Sequence, residues 1–200
     1  MPSFTLDREQ VGLLLIDLQE KLLEKMERSC ELFRAIQNII KGFQILKRPI
    51  VITEQYPQGL GSTAFSIKQW LTEEQSYFAK TSFSCWNDPS IRQFMEEQNV
   101  TQWIVAGLET HVCILQTVQS LVKAGSQVVV LNDATASQSI YDFSTAIAEM
   151  RDSGARISNS GIVLFELLQD SRSPEFQEIS RLMKGSSSKN HGCCSCQAGS

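Results

Sequence analysis

The chain has 200 residues, 42% of them hydrophobic, with a formal charge of −4 and a pI near 5.3. That length buries one sizeable core but hardly two, and the acidic balance gives no support to a basic face for nucleic acid or anionic lipid. The opening MPSFTLDREQ carries acids and no long apolar stretch, so it does not read as a targeting peptide, and the apolar run 13–16 is far too short to span a bilayer.

In chain order, residues 11–16 are continuously apolar, the mark of a strand buried on both faces. Apolar residues at 32, 33, 36, 39, 40 and 43 have helical spacing within residues 32–46. Pro49 stops that helix, and Pro-Ile-Val-Ile-Thr begins a second strand. A loop with Pro57, Gly59 and Gly61 leads to a short helical piece at 66–71. Residues 77–79 read as a third strand, 91–97 as a helix after Pro89, and 102–106 as a fourth strand ended by Gly107. Val112, Leu115, Val118, Leu121 and Val122 mark a helix that closes at Gly125. A fifth strand at 127–131, a helix at 142–152, a sixth strand at 155–158 and helices at 161–168 and 174–183 complete the series. This alternation predicts an α/β fold: three layers, α/β/α, around a Rossmann-like, mostly parallel six-stranded sheet with helices on both faces.

No internal repeat is visible. From Gly185 onward GSSSKNHGCCSCQAGS is small, polar and without periodicity, so residues 1–184 are expected to form the domain and 185–200 a disordered tail. Cys30, Cys85 and Cys113 are scattered, while Cys193, Cys194 and Cys196 crowd the tail. That pattern fits reduced thiols in a cytoplasmic protein better than a disulfide framework. The tail cysteines allow disorder, reversible lipidation or weak metal binding, and disorder is the favoured reading.

Ligands of open parallel sheets bind outside the carboxyl ends of the strands. Asp17 ends the first strand, Lys80 the third, Gly107 the fourth and Asn132-Asp133 the fifth, while Cys113 follows the fourth strand at the start of a helix. Taken singly each has an ordinary reading: the Asp as a cap, the Lys as solvated, the Cys as a small core hydrophobe. Asp133 reads as the cap of a turn or of the following segment, and Glu20 and Glu54 as surface acids. Cys113 stands apart because, with Thr110 as N-cap, it falls in the first helical turn. There free N–H groups and the helix dipole favour a thiolate, and it is expected to be the most acidic core thiol. A carboxylate would oppose that thiolate, so its use is proton transfer. The division of labour is Asp17 as base, Lys80 as electrostatic support and Cys113 as nucleophile.

The segment VAGLETHVCILQTVQSLVKAGSQVVVLNDA resembles the cysteine-bearing signature of isochorismatase-like hydrolases, and LLLIDLQEKL and YFAKTSFSCW resemble the segments that hold the family's Asp and Lys. The likeness runs in order from about Val11 to about Phe165 and carries the same three roles onto Asp17, Lys80 and Cys113. It implies an oxyanion hole from the backbone N–H groups of Glu109 and Cys113, and a cis peptide between Leu108 and Glu109. Nicotinamidases of this group hold a metal through an Asp and several His after the second strand. The loop TEQYPQGLGST has no His, and the chain's histidines are His111 and His191, so no catalytic metal or other cofactor is expected. His111 reads as a loop or pocket-wall residue. Gln19, Tyr56, Phe83, Trp86 and His111 are candidates for the substrate pocket, and Phe65 is a further aromatic near it; as isolated aromatics, Tyr56, Phe65, Phe83 and Trp86 fit core or interface equally well.

The expected activity is hydrolysis of a small amide or related acyl compound. The alternatives are vinyl-ether or thioester hydrolysis on the same scaffold, or a non-catalytic oligomeric binding protein. A small-molecule substrate is expected, with no nucleic-acid or membrane partner. The broad apolar spread of residues 36–46 is expected to serve a core and a partner at once, in a homo-oligomer of closed symmetry.

Overall fold

The computed structural model describes residues 4–26 and 30–185; the tail cysteines and His191 lie outside the described residues. The strands are β1 (Val11–Ile16), β2 (Ile50–Gln55), β3 (Tyr77–Lys80), β4 (Gln102–Leu108), β5 (Gln127–Ala136) and β6 (Arg156–Ser158). They pair in the order β3-β2-β1-β4-β5-β6, all parallel. Every residue of β1 and β4 is buried, as expected of β1, apolar throughout, and of β4, apolar after Gln102.

Alternate side chains of each strand point to opposite faces. On one face Leu13, Leu15, Ile52, Ile104, Leu108, Val129 and Leu131 pack against α2 (Cys30–Ile45), α8 (Ser160–Leu168) and α9 (Phe176–Gly185). On the other, Leu14, Ile16, Val51, Trp103, Val105, Val128 and Val130 meet α5 (Pro89–Glu97), α6 (Leu115–Lys123) and α7 (Ile140–Asp152). Gly12 is the partner of Trp103 across the β1–β4 pair, and a Cβ there would lie 2.7 Å from the indole ring. Glycine at that position lets the buried Trp103 cover the strand.

The expected partner surface on residues 36–46 is covered within the chain. Ile36, Ile39, Ile40, Phe43 and Leu46 are all in the core shared with α8, α9 and β5. The helix is apolar over a broad arc because two helices and the sheet pack on it.

Four short elements had no apolar period to reveal them: the 3-10 turn Arg8–Gln10, α1 (Glu20–Leu23), α3 (Pro57–Leu60) and the 3-10 turn Cys85–Asn87. The 66–71 piece is shorter than expected, α4 (Phe65–Lys68). β4 continues past Gly107 to Leu108, and β5 continues past Asp133 to Ala136. Between them the register jumps: Val105 faces Val130 and Gly107 faces Thr135, so two steps along β4 match five along β5. The bulge projects Asp133, whose carboxylate accepts hydrogen bonds from the Ser160 amide and hydroxyl. Asp133 thus secures the first turn of α8 and not the segment that directly follows it.

Candidate active site

The strand order reverses direction between β1 and β4, and the crevice at such a reversal is where open α/β sheets hold ligands. β1 delivers Asp17 to this point. β4 leads through Glu109 into a π-helical turn, Thr110–Ile114, which carries Cys113 and runs on into α6. β3 brings Lys80 from the far side of β2. Asp17, Lys80 and Cys113 are each at most 3% exposed.

The chain leaves three neighbouring strands through residues in the left-handed region: Tyr56 after β2 (φ 38°), Asp17 after β1 (φ 55°) and Glu109 after β4 (φ 55°). Side chains other than glycine seldom adopt this conformation, and clusters of it are a feature of functional sites. Before Glu109, Gly107 takes φ 143°, and a Cβ there would stand 2.1 Å from the Ile16 carbonyl oxygen. That close approach keeps β4 against β1 just below the site.

The described residues contain no cis peptide, so the implied cis bond between Leu108 and Glu109 is replaced by a trans bond with a left-handed turn at Glu109. Thr110 is not the cap expected of it. Glu109 occupies the N-cap position, its carbonyl accepting from the amides of Val112 and Ile114, and the Thr110 hydroxyl is buried without a partner. Because the turn is π-helical, Cys113 still lies within its first turn. The backbone groups of Glu109 and Cys113 flank this turn at its beginning and near its end.

Lys80 Nζ donates to Asp17 Oδ2 at 2.8 Å, to Gln55 Oε1 at 2.6 Å and to the Phe83 carbonyl at 3.3 Å. Asp17 Oδ1 accepts from the Thr53 hydroxyl at 2.8 Å. Cys113 Sγ lies 4.0 Å from Gln55 Oε1, and the buried Asp17 carboxylate acts on its thiol. Burial alone would push the Lys80 ammonium down, but the Asp17 carboxylate together with Cys85 and Cys113 outweighs it, and the lysine is held charged. For Cys113, burial pushes the thiol up, and the Asp17 carboxylate pushes it further against the pull of Lys80. The helix start therefore does not make this thiol acidic, contrary to expectation. The ammonium available to stabilise a thiolate is already matched by Asp17. The arrangement is a neutral thiol beside a carboxylate, suited to proton transfer as bond formation begins.

Gln55 and Thr53 were missed in the sequence. Gln55 is the register partner of Lys80, and its amide is oriented by Nε2 donating to the Thr81 carbonyl. Pairing the ends of strands two and three on paper would have exposed Gln55; nothing in the sequence marks Thr53. Glu54 is buried and accepts from the amide and hydroxyl of Thr63, so it braces the following loop and is no surface acid.

The candidate pocket residues divide. Gln19 is buried, its amide donating to the Gln55 and Gly61 carbonyls and its oxygen accepting from the Gln55 amide, which makes it a brace behind the end of β2. Tyr56 and Phe83 are about half exposed and Phe65 more so, whereas Trp86 packs against the core that includes Cys85 and Cys113. His111 sits at the rim, with Nδ1 3.1 Å from Ser137 Oγ and its two ring nitrogens 3.7 and 3.8 Å from the carboxylates of Glu109 and Asp142.

No group of three or more His, Cys, Asp and Glu side chains among the described residues is placed to hold a metal ion, and no helix among them is long and apolar enough to cross a membrane. The profile of the isochorismatase domain matches residues 11–161. Isochorismatase domain-containing protein 2 of Homo sapiens is 35% identical over 86% of this chain and 82% of its own length. Isochorismatase domain-containing protein 1 of Danio rerio is 34% identical over 84% of the chain, which spans only 59% of that relative. A solved structure from Caenorhabditis elegans, described as a MAR1 ribonuclease, is 32% identical with a TM-score of 0.85, covering 96% of this chain and 97% of that one.

Proposed function

The chain belongs to the isochorismatase family, and on that footing we propose that it is a cysteine-dependent hydrolase of a small amide or related acyl compound. The observation that carries this reading is the buried cluster of Cys113, Asp17 and Lys80, in which the Asp17 carboxylate is held by the Lys80 ammonium and the Thr53 hydroxyl and acts on the Cys113 thiol, all shut away from bulk solvent. In this reading Asp17 takes the thiol proton as sulfur attacks the carbonyl carbon. The tetrahedral oxyanion is held by the Glu109 and Cys113 backbone N–H groups, each donor contributing about 3–4 kcal/mol. Asp17 returns the proton to the departing amine, leaving a thioester. Water then attacks the thioester with Asp17 again as base, releasing the acid and restoring the thiol. Lys80 holds the carboxylate in place throughout, and no metal or cofactor takes part.

Around this centre we assign Tyr56, Phe83 and His111 to the substrate pocket, with Gln19 and Trp86 supporting its walls. We place the hydrolase domain within residues 1–184. The nematode relative is called a ribonuclease; the acidic balance of this chain and its enclosed thiol support a small-molecule substrate instead. The buried free thiols of Cys85 and Cys113 suit a cytoplasmic setting. We also propose a homo-oligomer, for which light scattering should give at least twice the 22.4 kDa chain mass.

The test is intact-mass spectrometry with a panel of small amides, esters and thioesters, followed by turnover of any compound that leaves an acyl adduct. An adduct on Cys113 that disappears with Cys113→Ala supports the proposal. Turnover that survives Cys113→Ala moves the reading to vinyl-ether chemistry, and a well-folded protein with an inert Cys113 moves it to a binding protein.

A further inference from the structure

Cys85 is a second fully buried thiol close to the site, and the mechanism above gives it no task. Its surroundings do. Cys85 Sγ lies 3.7 Å from the Thr53 hydroxyl oxygen, and that hydroxyl donates to Asp17 Oδ1 at 2.8 Å. The Cys85 amide donates to Thr117 Oγ1 at 3.0 Å, and the Thr117 hydroxyl donates to the Cys113 carbonyl at 2.6 Å. Thr53, Cys85 and Thr117 are all fully buried. A hydroxyl has a single proton. Thr117 directs its proton to Cys113 and Thr53 directs its proton to Asp17, while Cys85 supplies the donor that each oxygen accepts. The Cys85 turn therefore sits between the two residues that must exchange a proton, and is joined to both.

We infer that Thr53 is a positioning residue for the Asp17 carboxylate, with the Cys85 thiol fixing the direction of the Thr53 hydroxyl. The inference rests on the reading of Asp17 as the proton acceptor. With Lys80 on one oxygen and Thr53 on the other, the carboxylate cannot rotate about its terminal bond. Burial holds the Cys85 thiol up at about 11, against the pull of Lys80, so at neutral pH it keeps the proton it must donate. The ionisable groups facing Asp17 are Lys80 from β3, Cys113 from the π-helical turn and Cys85 itself. Thr53 is neutral, so its replacement removes a hydrogen bond without altering the charge of the site.

The test follows alkylation of Cys113 by iodoacetamide against pH, by peptide mapping of the full chain, in wild type, Thr53→Val, Thr53→Ser and Cys85→Ala. Melting temperature is recorded alongside. A carboxylate that loses a donor holds its proton more tightly, so Thr53→Val should move the acid limb of the rate profile up by about one unit. Thr53→Ser should restore the wild-type limb, and Cys85→Ala should move it part of the way. A purely structural role would lower the melting temperature and leave the limb in place. An unmoved limb in a folded Thr53→Val protein overturns the inference and leaves Cys113 as nucleophile, and so does a Thr53→Ser profile that stays shifted. Should Thr53→Val fail to fold, Cys85→Ala decides, and a wild-type limb there overturns the inference. A wild-type Cys113 that resists alkylation at every pH brings down the proposed function itself, and this inference with it.

Discussion

Lys80 and Asp17 meet at 2.8 Å with neither side chain exposed to solvent. Each ion answers for the other, because a buried charge left without its partner is far more costly than the intact pair is stabilising. Lys80→Met is therefore expected to lose about 3–5 kcal/mol of stability as well as activity. Adding Asp17→Asn to it should recover much of the stability and none of the activity. Urea unfolding of the single and double variants checks this; a Lys80→Met midpoint close to wild type would show that the pair is not closed to water.

Gln55 touches both the cation and the thiol, so charge placed there should be felt at sulfur. Gln55→Glu adds a carboxylate beside a thiol that burial and Asp17 already hold up. Alkylation of Cys113 by iodoacetamide should slow by about tenfold, the effect of one unit in thiol acidity. Gln55→Leu, which adds no charge, should slow it less. Equal rates in Gln55→Glu and wild type would remove Gln55 from the electrostatics of the site.

Acid should unfold the protein through two surface clasps far from the site. Hydrogen bonds from Arg8 hold the Glu175 carboxyl down at about 2, and those from Arg156 hold Glu166 below its ordinary value. Both groups are more acidic when folded than in the unfolded chain, so the unfolded chain binds protons first as pH falls. Their contribution is complete above the ordinary value of 4.5 and, for Glu175, is lost as pH falls toward about 2. Melting temperature should decline across that window, and Glu175→Gln should decline less steeply. Parallel curves would show that the Arg8 clasp does not contribute.

Gly107→Ala should be among the most damaging single changes outside the charged cluster. A methyl group there meets the Ile16 carbonyl oxygen at 2.1 Å, and the backbone holds φ at 143°. The cost is expected to be at least about 2 kcal/mol, from strain and overpacking together. A chemical-denaturation midpoint near wild type would mean that β4 moves away from β1 without penalty.

The sheet and the placement of Asp17, Lys80 and Cys113 at the carboxyl ends of its strands were legible because they follow simple periodicities. Val11–Ile16 is apolar throughout, and Asp17 and Lys80 stand where apolar or strand-forming runs stop. What stayed hidden was polar sequence inside regular structure. Glu54 and Gln55 read as loop beyond a strand that reaches Thr53, yet both belong to β2, where Thr63 and Lys80 satisfy their side chains. The last residues of β5 were hidden for a related reason, since the bulge breaks the alternation on which a strand is recognised. The acidity of Cys113 was misjudged because a helix start is a local feature, whereas the burial of the thiol comes from the whole fold and the carboxylate beside it from ninety-six positions earlier in the chain.

The left-handed exits at Tyr56, Asp17 and Glu109 bear on how this protein can diversify. A residue that holds an awkward backbone angle resists exchange for β-branched side chains, whatever ligand is at hand. Saturation mutagenesis should therefore find three intolerant points at neighbouring strand ends, with permissive stretches between them. New specificities would be sought in those stretches, in the side chains of residues 57–62 and at His111, while the backbone path that supports them stays unaltered.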